Sequence, residues 1–149
     1  MGEPNSRSWV GTAVLIGAMY VAIGLAFTAL SGAATSRNWF YTWRLGAWVV
    51  SGAAYAAHIA HEHFRSRHPP LITALHAATA VAVGGFGLAA AATAHALAAP
   101  ARPPNLWLYA LALVLWPLFT AVPAYAVAMA GASVLAWFQR RPGQSRITT

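Results

Sequence analysis

The densest run of chemistry-bearing side chains is His58-Ile59-Ala60-His61-Glu62-His63, followed by His68 and His76. On a helix turning about 100° per residue, His58, His61 and Glu62 share an arc of about 100°, and His63 points elsewhere. Imidazole nitrogens and carboxylate oxygens are ligands that first-row transition metals favour. His58, His61, Glu62 and His76 therefore form a candidate metal site. His58 and His76 alone could serve as axial ligands of haem or another tetrapyrrole. Ala54, Ala57, Ala77 and Ala80 would leave space for a flat ring. A third chemistry is proton movement from Glu62 through Tyr55 and Ser51, because an ionisable group inside a membrane segment marks a pathway by default. The plain alternative treats His61, His63 and His68 as interfacial polar residues, favoured by the negative end of a helix dipole. His95 stands apart beside Thr93 and reads as a hydrogen-bonding residue near the opposite face.

Composition removes many other chemistries. The chain has 149 residues, 59% hydrophobic and 7% charged, with a mean hydropathy of +0.56. Soluble domains carry about 25% charged residues. All nine basic residues are Arg, so no Lys can form a Schiff base. Cys is absent, which excludes thiol nucleophiles, disulfides and thiolate-bound metals. The only carboxylate side chains are Glu3 and Glu62, and Glu3 lies in the polar N-terminal stretch. Paired-carboxylate catalysis therefore lacks its second group, and the expectation is a non-enzymatic protein. The net charge of +7 comes from Arg residues scattered at the ends of apolar segments. That is a bilayer pattern, and nucleic acid is not an expected partner.

These side chains need elements to position them, and four apolar stretches supply those. The expected class is all-α: a single transmembrane domain with helices over about 9–31, 39–64, 70–99 and 105–138. They form a polytopic up-down bundle. Each stretch exceeds the roughly 20 residues that cross a bilayer. Ser31-Gly32, the segment Arg65 to Pro70 and the segment Pro100 to Asn105 carry helix-stop chemistry. Pro117 and Pro123 are expected to kink the fourth helix. The first stretch is longer than the roughly 7–15-residue core of a signal peptide, so it reads as a span. Folding the third helix back antiparallel on the second brings His76 to about the depth of His58.

Arg7, Arg65, Arg67, Arg140, Arg141 and Arg146 fall on one side of this layout; Arg37, Arg44 and Arg102 fall on the other. The richer side is expected to be cytoplasmic and to hold both termini. High Ala usage with Arg in place of Lys suits a bacterial inner membrane. Arg44, Trp48, Ser51, Tyr55, His58, Glu62 and Arg65 follow helical spacing and form a polar stripe expected to face the bundle interior, a partner or a water path. Ala74, Ala78 and Ala82, the pair Ala80 and Gly84, and Gly17 with Gly24 make small-residue faces for close helix packing, within the chain or against another subunit.

Three functions follow as expectations. The first is an accessory or structural subunit of a larger membrane complex, such as a respiratory or photosynthetic assembly, with lipid and other membrane subunits as partners. The second is an electron-transfer protein holding a His-ligated haem, another tetrapyrrole or a metal. The third is a small proton-coupled transporter or channel that uses Glu62.

Overall fold

The computed structural model describes residues 6–64, 68–98 and 105–140. It is all-helical: α1 (Ser6–Gly32), α2 (Arg37–Phe64), α3 (Pro70–Ala98) and α4 (Leu106–Arg140). Local chemistry sets the boundaries. The last turn of α1 closes with Ala33 N–H donating to Ala29 O. Ser36 caps α2, its Oγ accepting from Trp39 N–H at 3.4 Å, as a hydroxyl at that position does for orphan amides. Pro70 opens α3, where a missing N–H costs nothing. Thr73 N–H donates to Pro69 O at 3.0 Å. α4 continues through both Pro117 and Pro123.

Three helices are long and apolar enough to cross a membrane: α1 from Trp9, α3, and α4 to Phe138. α2 has the length but not the apolarity. The packing also points to lipid. Large apolar side chains face outward, with Trp48 77% and Phe119 68% exposed. The buried core is almost all alanine: Ala13, Ala74, Ala77, Ala78, Ala80, Ala89, Ala128 and Ala132, with Ile59. Small residues inside and large ones outside are what helix association without water favours. Thr28, Thr42, Thr79, Thr93 and Thr120 each return the hydroxyl to a carbonyl one turn back. A segment in lipid must satisfy its polar groups in this internal way.

The register of the contacts gives the directions. Gly17 lies against Val83, Tyr20 against Gly84, Val21 against Gly87 and Gly24 against Leu88, so α1 and α3 run parallel. Tyr55 meets Ala124 and Ile59 meets Gly131, so α2 and α4 also run parallel. Gly85 lies against Pro117 and Thr120, while Ala77 clusters with Ala128, so α3 and α4 are antiparallel. α3 sits between α1 and α4, which do not touch among the described residues. α2 packs mainly on α1, where Phe27 meets Trp43 and Gly46.

Gly17, Gly24 and Gly84 stand at close contacts between α1 and α3. A Cβ on Gly17 would come 2.5 Å from Val83 Cγ1 and 3.0 Å from Ala80 O. One on Gly24 would come 2.7 Å from Leu88 Cδ2. Gly84 answers from α3, where a Cβ would stand 2.9 Å from Tyr20 Cβ and 3.3 Å from Gly17 O. Ala74, Ala78 and Ala80 are buried and Ala82 is half-buried. Gly52, by contrast, faces open space. Gly84→Val is therefore expected to destabilise the detergent-solubilised protein by about 1–3 kcal/mol through overpacking. Gly52→Val should leave the thermal midpoint nearly unchanged in the same melts.

Candidate functional site

The same end of the bundle gathers the first turn of α1, the last turn of α2 and the first turns of α3. Glu62 lies one residue pair before the end of α2 and is 6% exposed. Its Oε2 accepts two hydrogen bonds, from His68 Nδ1–H at 2.9 Å and His76 Nδ1–H at 3.2 Å. His68 precedes Pro69-Pro70, and a residue before proline is held extended. That holds its ring near the start of α3. His76 lies about two turns into α3, on the side facing α1 and α2. Trp9 lies flat on the His76 ring, with centroids 4.9 Å apart and planes 5° apart. The two imidazoles meet edge to face at 5.1 Å.

An ionised carboxylate has no proton to give, so both imidazoles must carry hydrogen on Nδ1 to make these bonds. A proton gained by either ring turns the contact into an ion pair. One ligand atom each from Glu62, His68 and His76 lies within 4.8 Å of the other two. The His68 side chain is 37% exposed, against 8% for Glu62 and 17% for His76. The cluster thus has one side open to solvent and one side inside the bundle.

Three buried polar groups nearby, and a fourth deeper in the bundle, lack partners. His58, one turn before Glu62, is 5% exposed, and neither ring nitrogen has a hydrogen bond. His63 is 7% exposed with both nitrogens unpaired, its ring edge-on to Phe64. Thr73 Oγ1 is fully buried without a partner, as is the Tyr20 hydroxyl within α1. Buried polar atoms are nearly always paired with protein, water or an ion.

The sequence candidates fall into distinct places. Glu62 and His76 are joined. His58 lies one turn deeper, and His61 is exposed, away from them. The Tyr55 hydroxyl donates to Ala124 O across to α4. Ser51 is half-buried, and His58, between Tyr55 and Glu62, bonds to neither. Ala77 and Ala80 are fully buried by helix packing, with Ala77 in the cluster of Ile59, Ala74 and Ala128. His95 is exposed in the last turn of α3, at the opposite end. Only the second half of the α2 stripe turns inward, since Arg44 and Trp48 are exposed. Arg65 lies outside the described residues. Sequence spacing missed His68 and Trp9. The signal for His68 was the Pro69-Pro70 pair that fixes it; Trp9 carried no signal, because its role depends on the parallel pairing of α1 and α3.

No family model, curated protein or solved structure matches the chain.

Removing the charge from Glu62 weakens both imidazole bonds at a buried position. Glu62→Gln is expected to lower stability by about 1–3 kcal/mol, seen as a lower unfolding midpoint. His61→Ala, at an exposed position, should melt like the parent.

Proposed function

We propose that this chain is a four-span membrane protein that holds a divalent first-row transition-metal ion at one end of its bundle, through Glu62, His68 and His76. The observation that carries this reading is the convergence of two imidazole nitrogens on one carboxylate oxygen at 2.9 and 3.2 Å. An ion with ligands at about 2.0–2.1 Å in a tetrahedron separates neighbouring ligand atoms by about 3.3 Å. The three side chains already stand near that spacing, so an ion can take the place of the two bridging hydrogens with little movement, each imidazole then carrying its proton on Nε2 in place of Nδ1. Two His with one carboxylate is a donor set used for zinc and for non-haem iron. The Trp9 stack holds the His76 ring in place, which is the kind of support that orients metal ligands.

In this reading α2 crosses the bilayer with the other three helices and turns Tyr55, His58 and Glu62 inward, while α4 bends at its two prolines. High Ala usage with Arg in place of Lys supports a bacterial inner membrane, and the Arg distribution supports both termini and the metal end on its cytoplasmic side.

A second reading, an accessory subunit of a membrane complex, has its own support. α2 falls short of the apolarity of the other helices, yet it leaves Trp39, Tyr41, Leu45 and Trp48 exposed along with Arg44. A protein partner covers such a face better than lipid does. Gentle extraction should then recover α2 crosslinked to another membrane protein through a photoreactive group at position 48; crosslinks to lipid alone would remove this second reading.

The metal reading is tested by equilibrium dialysis of the detergent-solubilised protein against zinc(II). One ion per chain is expected, with affinity falling on acidification because protons compete for the imidazoles. Glu62→Ala and His76→Ala should each weaken binding roughly tenfold or more, and His95→Ala should not. Equal binding by all four proteins would overturn the assignment.

A further inference from the structure

Glu62, His68 and His76 leave a four-coordinate ion one position short. Two outcomes exist for that position: a water, which makes an open and reactive site, or a fourth side chain, which makes a closed one. The helix directions decide what lies on the inner side. Moving one turn deeper into the bundle takes Trp9 to Ala13 on α1, His76 to Ala80 on α3 and, because α2 runs the other way, Glu62 to His58. This next layer is sealed: Ala13 is 4%, Ala80 0% and His58 5% exposed. Below it, Gly17 lies against the α3 backbone and side chains with no room for even a methyl group. Solvent therefore reaches the cluster from the His68 side, and of the unpaired buried side chains His58 is the one that lies a turn deeper on the Glu62 face of α2.

His58 has the right placement and an unmet need. It is four residues before Glu62, the helical spacing at which two ligands on one face bind a single ion. It lies within electrostatic reach of both Glu62 and His76. Neither of its nitrogens has a partner, so it carries the desolvation cost of a buried polar ring with nothing in return. It stands outside the set whose ligand atoms lie within 4.8 Å of one another. Binding would draw its ring toward the ion by side-chain rotation, in a layer whose α1 and α3 members are the small residues Ala13 and Ala80.

Resting on the metal reading above, we infer that His58 is the fourth ligand, closing a tetrahedral site of three histidines and one glutamate. Such a site takes zinc-class divalent ions, which accept tetrahedral geometry without penalty. With no position left for water, the ion is held for structure or for hand-off through the exposed His68, and does not hydrolyse a substrate. His58 also couples the ion to the bundle interior, since the same turn of α2 carries Ile59 into the core cluster with Ala77 and Ala128.

Cobalt(II), added to the protein in detergent and followed by azide, reports whether a coordination position is open. A bound water exchanges for azide and shifts the visible bands; a shell of four side chains leaves them unchanged. The wild-type protein is expected to show intense four-coordinate bands that azide does not move. In His58→Ala, water takes the vacated position, so azide should shift the bands, with cobalt(II) affinity reduced roughly tenfold or more. His58→Asn, which keeps a polar group in the buried layer, provides a second variant should alanine prevent folding, and should respond to azide in the same way. Azide-shifted or weak six-coordinate bands in the wild-type protein, or identical azide responses in wild type and variants, would overturn the fourth-ligand assignment while leaving the three-residue site intact. Failure of the wild-type protein to retain cobalt(II) at all would overturn both.

Discussion

A carboxylate taken out of water must be met by partners, because the penalty for a buried charge is several kcal/mol even after relaxation. Glu62 is the one acidic side chain in the described helices, and it is buried. No Lys exists to meet it, and no Arg pairs with it among the described residues. Two histidines meet it instead. This choice shapes the whole end of the bundle. It draws the residue before Pro69-Pro70 back toward α2, fixes which face of α3 turns inward, and holds both imidazoles with Nδ1 toward one oxygen. A guanidinium in the same place would have produced a static ion pair. Imidazoles produce a set of groups that can exchange a proton for a metal ion.

The packing of the apolar part makes this geometry available. Gly17, Gly24 and Gly84 let α1 and α3 approach along their length, and Gly85 does the same for α3 and α4. Close, parallel approach of α1 and α3 is what places Trp9 on the face of His76. Bulkier residues at these contacts would move α1 outward and take the indole with it. The small-residue interior and the histidine cluster are therefore linked: dispersion contacts deep in the bundle set distances between polar groups at its end.

Much of this was legible in the sequence. The four apolar stretches, separated by Gly, Pro and Asn signals, become four helices. Antiparallel return of α3 on α2 was enough to pair Glu62 with the region of His76. The face of α2 was harder to read. Taking His58 as zero on an ideal helix, Glu62 lies at about +40°, Ile59 at about +100° and His63 at about +140°, while His61 lies at about −60°. The inward arc runs from His58 through Ile59 to His63, so His61 is left outside. Periodicity defines an arc but not which of its edges meets a neighbour, and that depends on α4 lying beside Ile59. The outer half of the stripe fails for a related reason. α2 meets α4 at Tyr55 and Ile59 and α3 at Glu62, while nearer its start it leans on α1 through Trp43 and Gly46. Trp48 is thereby left to the surroundings. His68 was out of reach of any helical spacing because it lies between helices.

Whether Glu62 and its histidines surround an ion is read most directly by X-ray absorption at the zinc edge, on protein loaded with one equivalent and passed through a sizing column in detergent. The expected spectrum has nitrogen and oxygen neighbours at about 2.0–2.1 Å, with the outer-shell scattering of imidazole rings, and loses that outer shell in the Glu62→Ala, His76→Ala double variant. Zinc that elutes away from the protein, or a bound ion with the same spectrum in the double variant, would contradict a metal site built on these residues.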